Sequence, residues 1–224
     1  MDKKSAPHTH WTVAVGEDIH RPPWLNPIPH PSGRWIEDIF SYRVRIFHPA
    51  LSYSGGHVSW LEISEALESR FHSGAEFAEL VHESDINSTH PGLYDARPSR
   101  GQLPADVFAE LMKHLEVPIN GHLFGLAWAG FAQVRSQTPN SATLLPGPSV
   151  PNGDSYCPCI GQLSSERYAI YDELPTPNFV WPRSQQWLVT TGYDDLSSTF
   201  ATNDAALYRE LLSIDSIEAL PAPK

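Results

Sequence analysis

Proline limits what this chain can fold into, because it occupies 21 of the 224 positions and is concentrated near the start. Five prolines fall within ten residues: Pro22, Pro23, Pro27, Pro29 and Pro31. Proline lacks an amide hydrogen and moves the preceding residue toward extended backbone, which argues against a helix or a central strand there. We therefore predict that residues 1–40 form an extended proline-rich arm, with Trp24 and Trp35 packing it on the body of the protein.

The chain beyond the arm predicts a single α+β domain over residues 41–224. Residues 41–48 alternate between two faces, which is typical of a strand. An apolar residue at every third or fourth position predicts a helix from Trp60 to Phe71, opened by the capping-box pair Ser59 and Glu62. Similar patterns predict helices from Phe77, over residues 104–115 and over residues 204–214.

Further strands are predicted by apolar or alternating runs over residues 121–131, 167–171, 186–191 and 199–202. Because helices and strands do not alternate along the chain, the sheet is not built from βαβ units. We predict a mostly antiparallel sheet with three to four helices packed on one face. A loop rich in Pro, Ser, Asn and Gly is predicted at about residues 136–156, and a loop of that length is either functional or mobile.

The charge of the chain restricts its partners. The formal net charge is −11, from 26 acidic and 15 basic residues. Nucleic-acid binding needs Lys and Arg side chains to displace counterions from phosphates, so this balance argues against DNA or RNA. It is compatible with a basic protein partner, since opposite fields accelerate encounter, although acidity also keeps ordinary cytosolic proteins soluble.

Membrane and export signals are missing from the sequence. No run approaches the roughly 20 apolar residues that a membrane helix needs. The lysines near the N-terminus are not followed by an apolar stretch, so the start does not read as a secretory signal. We predict a cytoplasmic protein that binds no membrane; the sequence gives no oligomeric state.

Several segments resemble a known family. They are residues 45–50 (RIFHPA) with 60–63 (WLEI), residues 101–104 (GQLP) and 124–131 (FGLAWAGF), and the C-terminal residues 181–182, 187–191, 211–212 and 217–221. Together they resemble a family of uncharacterised bacterial proteins over most of residues 41–222. The chain departs from the family at residues 201–203, where a Gly-Gly turn is usual before the last helix. The resemblance implies a single domain and no particular activity.

Motifs that would identify an enzyme or a metal site are absent. The chain has no GxxxxGK[ST] or GxGxxG phosphate loop, no GxSxG elbow and no HExxH. Cys157 and Cys159 in a predicted loop, and His8 and His10 near the start, form pairs without the further ligands that a structural zinc site requires. We predict no metal, no cofactor and no catalytic residue.

Two arginines and a histidine form the sharpest candidate for a ligand site. Arg43 and Arg45 lie two apart on a predicted strand and therefore share a face, with His48 just beyond its end. Two guanidinium groups that converge can bind a carboxylate or phosphate bidentately. The alternative, which 26 acidic residues favour, is that each arginine pairs with an acid on a neighbouring element.

Four further residues are candidates for contact with a partner. Phe179 and Trp181 fall in a predicted loop, where an exposed pair would anchor an interface; the alternative is that this loop folds back over the sheet edge. Asp194 and Asp195 follow a predicted strand, where functional carboxylates often gather, although acidic dipeptides more often belong to solvated turns.

The leading hypothesis from the sequence is a non-enzymatic, acidic binding module of the immunity-protein or antitoxin kind that binds a basic protein. The alternative is a small-ligand binder, or an enzyme of unlisted type, in which Arg43, Arg45 and His48 hold an anionic group. A third hypothesis is a structural subunit whose N-terminal arm reaches a neighbour in an assembly.

Overall fold

A computed structural model of the protein describes residues 8–15, 19, 21–25, 35–82, 89–115, 121–146, 154–164 and 174–223. The strands are β1 (His8–Val13), β2 (Tyr42–Phe47), β3 (Ala50–Leu51), β4 (His57–Val58), β5 (His122–Trp128), β6 (Leu145–Pro146), β7 (Ser155–Ser164), β8 (Phe179–Pro182), β9 (Trp187–Thr190), β10 (Ser197–Thr202) and β11 (Ala219–Pro221). The helices are α1 (Ile36–Ile39), α2 (Trp60–Ala66), α3 (Phe77–Leu80), α4 (Ala105–Met112), α5 (Ala132–Gln137) and α6 (Ala205–Leu211), with a 3-10 turn at Pro23–Leu25.

The prediction of an α+β fold with a large antiparallel sheet is confirmed. Over the described residues, nine strands form one sheet in the order β1-β7-β5-β8-β9-β10-β2-β11, with β6 paired to β7. All of these pairs are antiparallel. A two-stranded ribbon of β3 and β4 stands apart. None of the described helices has the length and apolar character needed to cross a membrane.

The two faces of the sheet are both covered, rather than one. Trp187 and Val189 of β9 belong to a core cluster with residues of α4 and α6, whereas Leu188 between them belongs to a second cluster. Alternate residues of a strand point to opposite faces, so these clusters lie on opposite sides of the sheet. The second cluster includes Leu25 and Ile36 from the N-terminal region.

The third core cluster lies under α2 and α3. Trp60 and Phe47 are buried in it, with ring centroids 4.8 Å apart. The predicted capping box is present, because the Ser59 side chain accepts the amide of Glu62 while the Glu62 carboxylate accepts the amide of Ser59. The start of α2 lies next to Glu218, the residue before β11, which accepts the amides of Trp60 and Leu61.

Two predicted loops contain regular structure. Phe179 and Trp181 lie in β8, so the prediction of a loop there is wrong. Residues 136–137 close α5, and β6 falls inside the loop predicted at 136–156, whose residues 147–153 lie outside the described residues. The strand predicted at 167–171 and most of the prolines of the predicted arm also lie outside them.

Candidate functional site

A groove of about 420 Å³ opens between α2, β4, α4 and the chain that leads into β11. Its apolar floor and walls are Phe47, Pro49, Leu61, Val107 and Ile217, and its polar lining is His57, Ser59, Glu62, Asp215, Ser216 and Glu218. Three of these polar residues are acids, and no described lining residue is a lysine or an arginine. The groove therefore combines apolar surface with negative charge.

Glu218 joins the C-terminal segment to α2. Its two carboxylate oxygens accept the amide hydrogens of Trp60 at 2.7 Å and of Leu61 at 2.8 Å. Burial raises the pKa of Glu218, and the nearby Glu62 raises it further, while the two amides act in the opposite direction. The first-turn amides of α2 are thus satisfied by a residue 157 or more positions away in the chain.

Glu62 is the second acid of the groove wall. Hydrogen bonds from the amide and the hydroxyl of Ser59 lower the pKa of its carboxyl below the ordinary value. The carboxylate is mostly exposed, so it remains charged at neutral pH while also capping the helix.

His57 and Asp106 meet at the groove edge. His57 Nε2 lies 2.7 Å from Asp106 Oδ2, which joins β4 to the first turn of α4. The side chains are 41% and 62% exposed, so this contact is a solvated one and contributes little to stability. Asp215 adds an exposed carboxylate beside Ser216.

The predicted arginines do not converge. Arg43 Nη1 lies 2.7 Å from Glu37 Oε1, in α1. Arg45 donates to the Ser73 carbonyl and the Ser197 hydroxyl, and its guanidinium lies 3.5 Å from Glu76. Each guanidinium is satisfied by a different segment of the chain, which is the alternative that the sequence favoured.

His48 lies in a buried chain of hydrogen bonds and does not face the groove. Its Nδ1 donates to the Ser99 carbonyl at 2.6 Å, so its Nε2 accepts from the Ser198 hydroxyl at 2.8 Å. The Ser198 oxygen in turn accepts from Thr191 Oγ1 at 2.7 Å. Burial, and to a smaller extent the charge of Arg45, lower the pKa of His48 to about 4, so its imidazole is neutral. These contacts give no support to a pocket formed by Arg43, Arg45 and His48.

Phe179 and Trp181 are fully buried and offer a partner no surface. Trp181 packs edge-on against Trp24, with ring centroids 6.4 Å apart, and Phe179 packs against Tyr156. Pro177 and Pro182 flank this segment and resemble the boundaries of a loop, but Pro182 lies at the end of the short strand. The prediction that Phe179 and Trp181 form an exposed anchor is therefore corrected.

Asp194 and Asp195 lie in the turn before β10, away from the groove. Asp194 Oδ1 lies 2.8 Å from Arg100 Nη2. The carbonyl of Asp195 accepts the amide of Gly101 at 2.8 Å. The turn and the loop around Gly101 are therefore held together, and neither acid contributes to the groove wall.

Cys157 and Cys159 lie in β7 and not in a loop. Both thiols are buried in the core, on the face that carries α4 and α6. A hydrogen bond from Cys159 lowers the pKa of Cys157. No three His, Cys, Asp or Glu side chains in the described part of the chain are grouped so as to hold a metal ion.

The groove residues were not predicted as a set. Ser59 and Glu62 carry a local signal, but that signal is helix capping and says nothing about a cavity. The set forms only when residues 47–62, 106–107 and 215–218 meet in the fold. A sequence pattern within one segment cannot predict a contact between segments that are distant along the chain.

Comparisons of the chain with family models, with curated proteins and with solved structures give no match. The resemblance to an uncharacterised bacterial family stays a prediction. What the protein does has to be inferred from the chemistry of the groove.

Proposed function

We propose that this protein is a non-enzymatic binding protein whose acidic groove receives a basic segment of a protein partner. The observation that carries the proposal is the lining of the groove: Glu62, Asp215 and Glu218 stand over an apolar floor without a lysine or arginine among the described lining residues. A cleft lined by one sign of charge and walled by apolar atoms focuses its field and raises the local concentration of the opposite charge.

The lining of the groove offers contacts to both the apolar and the charged part of a lysine or arginine side chain. Its apolar lining, of which Leu61 is the most exposed member at 48%, offers contacts to the aliphatic stems of Lys or Arg, whose charged ends can reach the acids. The carboxylates of Glu62 and Glu218 both lie at the start of α2, and the exposed Asp215 lies three residues before Glu218. A cationic side chain placed at the start of α2 is attracted by the carboxylates of both Glu62 and Glu218.

The alternative of an anion site at Arg43, Arg45 and His48 has less support. The two guanidinium groups already contact Glu37 and Glu76, and His48 is buried and neutral. An anionic ligand there would have to displace contacts that the chain makes with itself. In the groove, the exposed Asp215 can be contacted while Glu62 and Glu218 keep their hydrogen bonds to the start of α2.

The test is a titration with a nonapeptide of alternating arginine and glycine, followed by fluorescence anisotropy at low and at high salt. We expect binding that weakens as salt rises, because exposed charges are screened over about 10 Å at 0.1 M ionic strength. Asp215→Lys should weaken binding by about tenfold at low salt, since a reversed charge replaces attraction by repulsion of similar size.

The matched control is Glu65→Lys, because Glu65 is exposed on α2 outside the groove lining. Both variants change the net charge by the same amount, so a general effect of charge would weaken binding equally. Equal weakening by the two variants would refute the groove as the binding site. Affinity that does not respond to salt would refute electrostatic recognition of a basic segment.

A further inference from the structure

The tip of the β3–β4 ribbon presents an aromatic ring that the fold itself does not use. Tyr53 is 94% exposed, and it is accompanied by Leu51 in the same ribbon and Leu61 in the groove wall, which are 39% and 48% exposed. Tyrosine is enriched among the residues that dominate binding energy in protein interfaces. The position of Tyr53 is therefore a candidate contact surface.

The ribbon that carries Tyr53 also carries His57, a residue of the groove lining. Leu51 of β3 pairs directly with His57 of β4, and His57 lines the groove. Directly opposed residues lie about 5 Å apart, and Tyr53 is two residues beyond Leu51, at most about 7 Å further. A bound chain therefore spans the distance of about 12 Å between His57 and Tyr53 with about four extended residues.

The tip is held by its own hydrogen bonds. The amide of Ser52 donates to the carbonyl of Gly56 at 2.9 Å, and the amide of Gly55 donates to the carbonyl of Ser52 at 2.8 Å. The Ser52 hydroxyl also accepts the amide of Gly56 at 3.1 Å. A tip that is ordered before binding loses little conformational entropy when a partner contacts it.

We infer that Tyr53 extends the acidic groove and stacks against an arginine of the basic segment, so that the site prefers arginine to lysine. This inference rests on the proposed function. A guanidinium is planar and stacks on aromatic rings, whereas an ammonium is a compact and strongly hydrated charge. The chain already uses this contact, with Arg45 4.9 Å from the ring centre of Phe47 and Arg97 5.2 Å from that of Phe77.

The experiment compares two nonapeptides of equal length and charge, alternating glycine with either arginine or lysine. Their affinities are measured for the wild type, Tyr53→Ala and Tyr53→Phe. We expect the ratio of lysine-peptide Kd to arginine-peptide Kd to fall about three- to fivefold in Tyr53→Ala and to stay unchanged in Tyr53→Phe. Leu144→Ala removes an exposed apolar side chain at a residue outside the groove lining and should leave the ratio unchanged.

A ratio that survives Tyr53→Ala overturns the inference, even if both peptides bind in the groove. A ratio that falls equally in Leu144→Ala overturns it as well. Failure of the proposed function gives a different result. In that case the two variants Asp215→Lys and Glu65→Lys weaken the binding of each peptide by the same factor. The circular dichroism spectrum of Tyr53→Ala should match that of the wild type, which shows that the substitution does not disrupt the fold.

Discussion

At the scale of single residues, His48 links the stability of the fold to pH. Its pKa falls from 6.5 to about 4 in the folded chain, because burial disfavours the charged imidazole. Between these two values the unfolded chain binds a proton that the folded chain does not, so the free energy of unfolding decreases as the pH is lowered. We expect a loss of about 2 kcal/mol between pH 7 and pH 5, measured by urea unfolding.

A His48→Asn variant provides the control for this pH dependence. It removes the titrating ring and should lower stability at pH 7, because the Ser99 carbonyl and the Ser198 hydroxyl lose a buried partner. Its stability should then change less between pH 7 and pH 5 than that of the wild type. If both proteins lose the same free energy over that interval, the pH dependence belongs to other groups.

At the scale of elements, the loop around Gly101 and the turn before β10 fit together only because Gly101 has no side chain. A Cβ at Gly101 would lie 2.3 Å from the carbonyl oxygen of Tyr193, on backbone with φ of +76°. Gly55 has φ of +77°, and a Cβ added there would meet no atom within 4 Å, so this position isolates the cost of the backbone conformation. We expect Gly55→Ala to cost about 1 kcal/mol and Gly101→Ala about 2–4 kcal/mol in thermal or urea unfolding. Equal losses of unfolding free energy at Gly55 and Gly101 would mean that the loop around Gly101 shifts to accommodate a Cβ without further loss of stability.

Elements were predictable from the sequence where local pattern determines them. The helix from Trp60 carries its cap and its apolar spacing within one segment, and the structure has the cap and buries Trp60 and Ile63, although α2 ends at Ala66, before the predicted end at Phe71. The sequence predicts a loop around Trp181 because the apolar run is short and bounded by prolines, whereas the burial of Trp181 depends on β5 and β9 on either side of β8. The groove was not predictable because Glu218 reaches α2 from the far end of the chain.

At the scale of the whole molecule, the sheet contains segments from near both ends of the described chain, β1 and β11. β1 pairs with β7 along one edge, and β11 pairs with β2 toward the other. Trp11 of β1 is buried, with its ring centroid 6.1 Å from that of Phe108 in α4. An N-terminal segment that only reached outward to a neighbouring subunit would not be paired and buried in this way.

This arrangement predicts that the N-terminal region and the body unfold together. Deleting residues 1–25 removes the buried side chains of Trp11 and Leu25 and should cost about 5–10 kcal/mol, which approaches the whole stability of a typical domain. The control deletion removes residues 1–7 only and leaves β1 intact. Calorimetry of the full chain should show one transition, with calorimetric and van't Hoff enthalpies in agreement. If the longer deletion left Tm unchanged, residues 1–25 would be an appendage, and the burial of Trp11 and Leu25 would contribute nothing to the folded state.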